Sequence, residues 1–283
     1  MPLLAKNNYN MKKILLTLVA AAGLYACNNQ KTSEKVIDSA GSAVTQTSTD
    51  SLTYKYDSIK VYSKHPVSAN KLVTDTAKAV IVYPVFPDQV VNKFIQDRVI
   101  GISGKQGINA SYKELAGGFV KEYDAFQARN TDREQTWFMY VDLNVKANYA
   151  NYLSVLLTYS DFKGGAHPNT LFAYLNYNPK TYQSITLDSL ITQDGMPALR
   201  AIGESIFRKN ENLAPNASLS DGYFFNEGVF TLPETFTLTK EGIKFLYNPY
   251  EIKAYAAGTT ELTVPFSKIK DIMKQSSILV NFQ

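Results

Sequence analysis

Trp137, Met139, Val141, Leu143 and Val145 occupy every second position of one uninterrupted run. A period of two gives a helix no apolar face, so this segment must be a half-buried strand. It belongs to a longer strand-like run, 135–148, followed by two more, 152–162 and 170–178. Turn residues separate the three, which makes antiparallel neighbours the expectation. Ahead of them, Tyr112, Leu115, Phe119, Tyr123 and Phe126 are spaced 3, 4, 4 and 3, one face of a helix over 110–129. Gly117-Gly118 weakens that helix or breaks it.

The remaining segments read as follows. Residues 54–62 suggest a strand with a phase change near Ser58, and 78–86 (KAVIVYPVF) an apolar strand. Pro87-Asp88 opens a helix carrying Val90, Val91, Phe94, Ile95, Arg98 and Ile102. Ile185-Thr186-Leu187 reads as a short strand, and Asp194 as the cap of a helix with Met196, Leu199, Ile202, Ile206 and Phe207. Short strands are expected at 229–232, 235–239, 242–247 and 261–265, a helix at 267–274 and a closing strand at 278–282. Helices and strands cluster instead of alternating, which predicts an α+β fold: antiparallel sheets with packed helices, in two intimately associated units.

The N-terminus reads as an address. Met11-Lys12-Lys13 precedes an apolar run of about eleven residues, too short to span a bilayer, and Met11 reads as the start. Leu24-Tyr25-Ala26-Cys27 follows and resembles a bacterial lipobox, with Cys27 as the thiol that is acylated. Residues 1–26 are thus expected to be a lipoprotein-type signal peptide. Residues 27–52, rich in Ser, Thr, Asn and Gln, are expected to be a flexible tether holding the body roughly 25–30 Å from the lipid.

Charge and composition then exclude whole classes of function. The net charge of +4 includes Lys6, Lys12 and Lys13, so from Cys27 onward 26 basic residues face 25 acidic ones. That balance gives no electrostatic case for a nucleic-acid partner. A single cysteine excludes an intrachain disulfide and a Cys-based zinc cluster. The two histidines, His65 and His167, leave little material for a metal site or a triad, and no cofactor is expected.

Two stretches carry a resemblance. One is Ser160-Asp161-Phe162-Lys163-Gly164-Gly165-Ala166-His167-Pro168-Asn169. The other runs from Phe245 through Asn248-Pro249-Tyr250-Glu251-Ile252 and Tyr255-Ala256-Ala257-Gly258 to Ser267. In this order they resemble the extracytoplasmic region shared by RsiV-type anti-sigma factors and the non-catalytic part of PdaC-type peptidoglycan deacetylases. The resemblance implies a PdaC-like unit over 53–180 and an RsiV-like unit over 181–283. It also implies a wall-related ligand, since RsiV-type proteins bind lysozyme with this region and PdaC-type proteins act on wall glycan. The chain departs from both: no sigma-binding segment is expected upstream, and a deacetylase metal site needs more histidines than are present.

Two readings stand for each motif. Gly164-Gly165 permits a sharp turn, in which His167 either bonds backbone groups, the preferred reading, or acts as a base or ligand. Tyr250, Glu251 and Tyr255 either face a ligand, the tyrosines stacking on sugar rings, or form a structural corner. A glycosidase-like pair of Asp161 and Glu251 is conceivable, although nothing in the spacing brings them together. The expected function is a lipid-anchored, non-enzymatic envelope module that binds or senses a peptidoglycan fragment or a lysozyme-type muramidase. Its candidate contact residues are Gly164, Gly165, His167, Asn169, Tyr250, Glu251 and Tyr255. The alternatives are an envelope hydrolase centred on His167 and a structural component of an outer-membrane assembly.

Overall fold

The computed structural model describes residues 51–70, 73–104, 110–130, 135–276 and 278–282. The leader, Cys27 and the tether up to residue 50 lie outside the described residues. No helix among the described residues is long and apolar enough to cross a membrane. Leu52, expected to end the tether, belongs to the body: the Asn148 side-chain amide bonds both its N–H and its carbonyl, at 3.0 and 2.7 Å.

The first half of the body is one sheet with two helices on it. Strand β1 (Lys55–Tyr62) precedes a small hairpin of β2 (Val67–Asn70) and β3 (Val73–Asp75), then β4 (Lys78–Val85). Helices α1 (Gln89–Ile102) and α2 (Tyr112–Gln127) follow, then β5 (Phe138–Tyr149), β6 (Tyr152–Phe162), β7 (Asn169–Asn178) and the two-residue β8 (Gln183–Ser184). The sheet order is β1-β4-β5-β6-β7-β8. All neighbours are antiparallel except β4 and β5, which run parallel. The helical connection between those two carries the chain back to the start of the sheet, as a parallel pair requires. Asp88 caps α1 by accepting from the Val90 N–H at 2.8 Å, so Pro87 lies just outside the helix.

The helical stripe of α2 is buried as spaced, Tyr112, Leu115, Phe119 and Tyr123 facing the sheet, and the helix runs unbroken through Gly117-Gly118. Their partners Met139, Val141, Leu143, Val155 and Leu157 come from the same face of β5 and β6. On α1 the buried stripe is Val91, Ile95 and Val99, whereas Val90 is exposed.

The second half holds α3 (Leu187–Leu190), α4 (Met196–Asn210), β9 (Phe236–Leu238), β10 (Gly242–Tyr247), β11 (Thr260–Pro265) and α5 (Phe266–Ile269). Its sheet is β11-β10-β9, antiparallel throughout, with Phe207, Phe230, Phe245 and Val264 in the core. Several expectations change here. Thr186 caps α3 and is not in a strand. Asp194 does not cap α4; it sits in a 3-10 turn, and Gly195 precedes the helix with no side-chain cap. Residues 229–232 form no strand: Val229 is 54% exposed and the Thr231 carbonyl is held by the Tyr247 hydroxyl at 2.7 Å. The chain end is a 3-10 turn, Leu279–Phe282. A strand would send Ile278 and Leu279 to opposite faces, whereas here Ile278, Leu279 and Phe282 all enter one core.

The two halves meet on a buried polar seam. The Tyr152 hydroxyl donates to Asn176 Oδ1 at 2.8 Å and accepts from the Leu238 N–H at 2.9 Å. Asn176 Nδ2 donates to the Phe236 carbonyl at 2.6 Å, and Ser154 meets Thr237 at 2.8 Å. Burial pushes the Tyr152 hydroxyl up to about 12, which keeps it a donor. Replacing Tyr152 with Phe strands the Leu238 N–H, and we expect a loss of about 2 kcal/mol in urea unfolding. A loss below ~0.5 kcal/mol would mean that the seam contributes little.

Candidate functional site

The β6–β7 connection, 163–168, turns on Gly164 and Gly165, whose φ values are +105° and +113°. A Cβ at Gly164 would also lie 2.9 Å from Gln135 Oε1. The turn presents His167 outward. Its Nδ1–H donates to the Pro168 carbonyl at 2.9 Å, which leaves the Nε2 lone pair to accept from the Tyr250 hydroxyl at 3.2 Å. The imidazole stacks on Tyr255 with centroids 3.9 Å apart and planes 13° from parallel. The Tyr250 ring stands 5.5 Å from that of Tyr255.

The two tyrosines reach this place through Asn248. Its Oδ1 accepts from the Phe172 N–H at 2.6 Å and its Nδ2 donates to the Phe172 carbonyl at 3.0 Å. One amide side chain thus docks the start of the 249–258 segment on β7. Glu251 supports the dock: its Oε2 accepts from the Asn248 N–H at 2.7 Å, and its own N–H donates to the Asn248 carbonyl at 3.1 Å. Desolvation raises the Glu251 carboxyl above its ordinary value, opposed by the Asn248 bonds. Ile252 anchors the segment in the second core, and the Phe224 N–H donates to its carbonyl at 3.0 Å. Tyr250 is held at φ +67°, a left-handed conformation that costs a residue with a Cβ roughly 1–2 kcal/mol, and it remains 56% exposed.

Beside the stack lies an open cleft of about 260 Å³. Its walls include Ile102 from the end of α1, Tyr159 of β6, Leu171 of β7 and the three rings His167, Tyr250 and Tyr255. Asn169 also lines it. The Tyr255 hydroxyl is 3.4 Å from Thr170 Oγ1. No carboxylate lines this cleft among the described residues. The arrangement offers flat rings for stacking, with hydroxyl, amide and imidazole groups around them.

The two sequence motifs, about eighty residues apart, therefore converge. His167, Asn169, Tyr250 and Tyr255 line one cleft; Gly164 and Gly165 shape the turn beneath His167; Glu251 positions Asn248 and lines neither this cleft nor its neighbour. Asp161 faces a second, neighbouring cleft, so it and Glu251 do not share one. The His65 backbone N–H donates to Ser63 Oγ at 3.0 Å, and no group of three or more His, Cys, Asp or Glu that could hold a metal occurs among the described residues. Tyr159 and Asn248 escaped the sequence reading. Tyr159 had a signal, since it shares a strand face with Asp161; Asn248 reads as an ordinary turn residue before proline.

Comparison with known proteins matches the two sides of this cleft to two different family models. Residues 70–170, which include His167, match the family model described as deacetylase PdaC. Residues 188–267, which include Tyr250 and Tyr255, match the one described as a protein of unknown function, DUF3298. Among curated relatives, the immunogenic protein MPT64 of Mycobacterium tuberculosis (strain H37Rv) is 29% identical over 126 residues, 42% of this chain and 51% of that protein. The peptidoglycan-N-acetylmuramic acid deacetylase PdaC of Bacillus subtilis is 23% identical over 180 residues, 60% of this chain and 37% of the enzyme. The chain thus spans about half the length, or less, of these curated relatives. Two crystal structures of DUF3298 family proteins share the fold. The one from Bacteroides fragilis has a TM-score of 0.66 at 22% identity, covering 83% of this chain and 99% of that one. The one from Pseudomonas aeruginosa has a TM-score of 0.57 at 18% identity, covering 77% and 94%. The stretch that matches the PdaC model and the stretch that matches the DUF3298 model both contribute residues to the aromatic cleft.

Proposed function

We propose that this protein is a lipid-anchored binding module of the cell envelope, and that the aromatic cleft holds a fragment of wall glycan without transforming it. The observation that carries this reading is the His167–Tyr255 stack with Tyr250 beside it, assembled from both domains at one open cleft. Flat rings bordered by hydroxyl and amide groups suit the apolar faces and polar rims of sugars. The likeness to a peptidoglycan-N-acetylmuramic acid deacetylase over 180 residues supports a wall-related ligand. A non-enzymatic role is favoured by the state of His167. In a triad-like arrangement an orienting carboxylate holds Nδ1; here that position belongs to the Pro168 carbonyl.

Calorimetry on the full chain in detergent micelles, titrated in parallel with purified peptidoglycan fragments and with lysozyme, tests the reading. We expect saturable binding of the fragments, weakened about tenfold by Tyr255→Ala through loss of one stacking ring. Saturable binding of lysozyme alone would make the module a muramidase sensor and move the site to its exposed loops. Silence towards both ligands would remove the proposal.

A further inference from the structure

A second cleft, of about 350 Å³, adjoins the first and shares Ile102 and Tyr159 with it. Tyr159 and Asp161 lie on the face of β6 that looks toward α2, Lys163 follows just past the strand's end, and Phe119 and Glu122 of α2 close the other side. Asp161 lines this cleft while only 8% exposed. A carboxylate so buried ordinarily has a cation beside it, because desolvation without one is costly. Asp161 has no ion-pair partner among the described residues. Its contacts are neutral: Asn169 Nδ2 at 3.5 Å and the Tyr159 hydroxyl, whose ionisation it opposes.

The cationic side chain in the lining, Lys163, is paired with Glu122. Lys163 Nζ is 2.8 Å from Glu122 Oε1 and lies over the rings of Phe119 and Trp137, at 5.4 and 5.5 Å from their centroids. A divalent metal ion is a poor match: calcium and magnesium take six or more oxygen ligands, zinc takes three or four His, Cys or carboxylate ligands, and no group of three such residues is present among the described residues. An ammonium group fits: it brings one charge, needs one carboxylate and can donate to neutral oxygens such as the Tyr159 hydroxyl.

We infer that the second cleft recognises a primary ammonium group on the ligand whose ring occupies the first, with Asp161 as its counter-ion. The inference rests on the glycan-binding reading above and deepens it. In a wall polymer such an amine comes from a sugar that has lost its N-acetyl group or from an amino-acid side chain of the stem peptide. The glycan source is favoured because Tyr159 and Ile102 are common walls, so that adjoining rings of one chain can fill both clefts.

The test uses the full chain in detergent and three probes: a glucosamine oligosaccharide, the N-acetylglucosamine oligosaccharide of equal length, and a lysine-containing stem peptide. Measurements are made below the pKa of the sugar amine. The free-amine glycan is expected to bind at least about tenfold more tightly than its acetylated counterpart, the effect of one charge-assisted bond to a buried carboxylate. In Asp161→Asn the preference is expected to fall to within about twofold while acetylated glycan still binds. Preferential binding of the peptide, abolished by the same substitution, supports the ammonium site and assigns the amine to the stem. Equal binding of the two glycans, with no binding of the peptide, overturns the ammonium site and leaves the glycan-binding reading standing. A preference that survives Asp161→Asn overturns it as well. Failure of all three probes to bind overturns both. The comparison in the unsubstituted protein stands by itself should the variant not fold.

Discussion

Replacing Gly242 with alanine is expected to destabilise the body by about 3 kcal/mol. Gly242 opens β10 and pairs with Pro265 of β11. A Cβ built there would lie 2.0 Å from the Val264 carbonyl oxygen and 2.8 Å from the Pro265 Cα. Both are backbone atoms, so no rotamer change relieves the contact, and the hairpin must open from that end. The next pair, Ile243 and Val264, is fully buried in the second core, and opening also disturbs the turn in which the Thr239 N–H meets the Gly242 carbonyl at 2.9 Å. Gly258→Ala is the control. It has a positive φ but open space around the added methyl, so its cost should stay near 1–2 kcal/mol, roughly that of the left-handed conformation. Equilibrium denaturation of both variants decides the matter. A Gly242→Ala cost no larger than that of the control would show that β11 yields easily.

Replacing Cys27 with alanine is expected to abolish membrane retention. The proposal is that its thiol accepts the lipid, and no other cysteine exists in the chain to substitute for it. Each buried methylene of an acyl chain contributes about 0.8 kcal/mol, so stable anchoring depends on having more than one chain. Metabolic labelling with an alkynyl fatty acid, followed by membrane fractionation, should show label on the unsubstituted protein and none on the variant. Label that persists in the alanine variant would place the anchor elsewhere and remove the lipoprotein reading.

The elements legible in the sequence were those whose burial is one-sided. The alternation at 137–145 and the 3-4-4-3 spacing of α2 survive into the structure because one face of each meets the first core. Short apolar runs near the end of the chain were less legible. Residues 278–282 read as a strand from composition, yet three of their side chains enter one core, which only a helical turn allows. The parallel pairing of β4 with β5 also left no local mark, since it follows from where a helical connection of some fifty residues returns the chain.

At the cleft, each motif could be read locally. Gly164 and Gly165 announce positive φ, Pro249 a turn, and the tyrosines a flat surface. The roles divided in ways that no motif showed. Glu251, a candidate contact residue, supports Asn248 and lines neither of the two clefts. Asp161, considered as a partner for Glu251, lies beyond Tyr159 in the second cleft.

By itself, then, the sequence determined the α+β class, the three consecutive strands, the helical stripe of α2 and the two segments that build the cleft. These depend on side-chain period and on residues whose backbone preferences are intrinsic. The tertiary structure decided that His167 stacks on Tyr255, that Asn248 docks on Phe172, and that Asp161 is buried with no ion pair among the described residues. The first two contacts join residues far apart in the chain, and they exist only once the buried seam around Tyr152 has brought the two halves together; the burial of Asp161 depends on α2 packing against β6 within the first half.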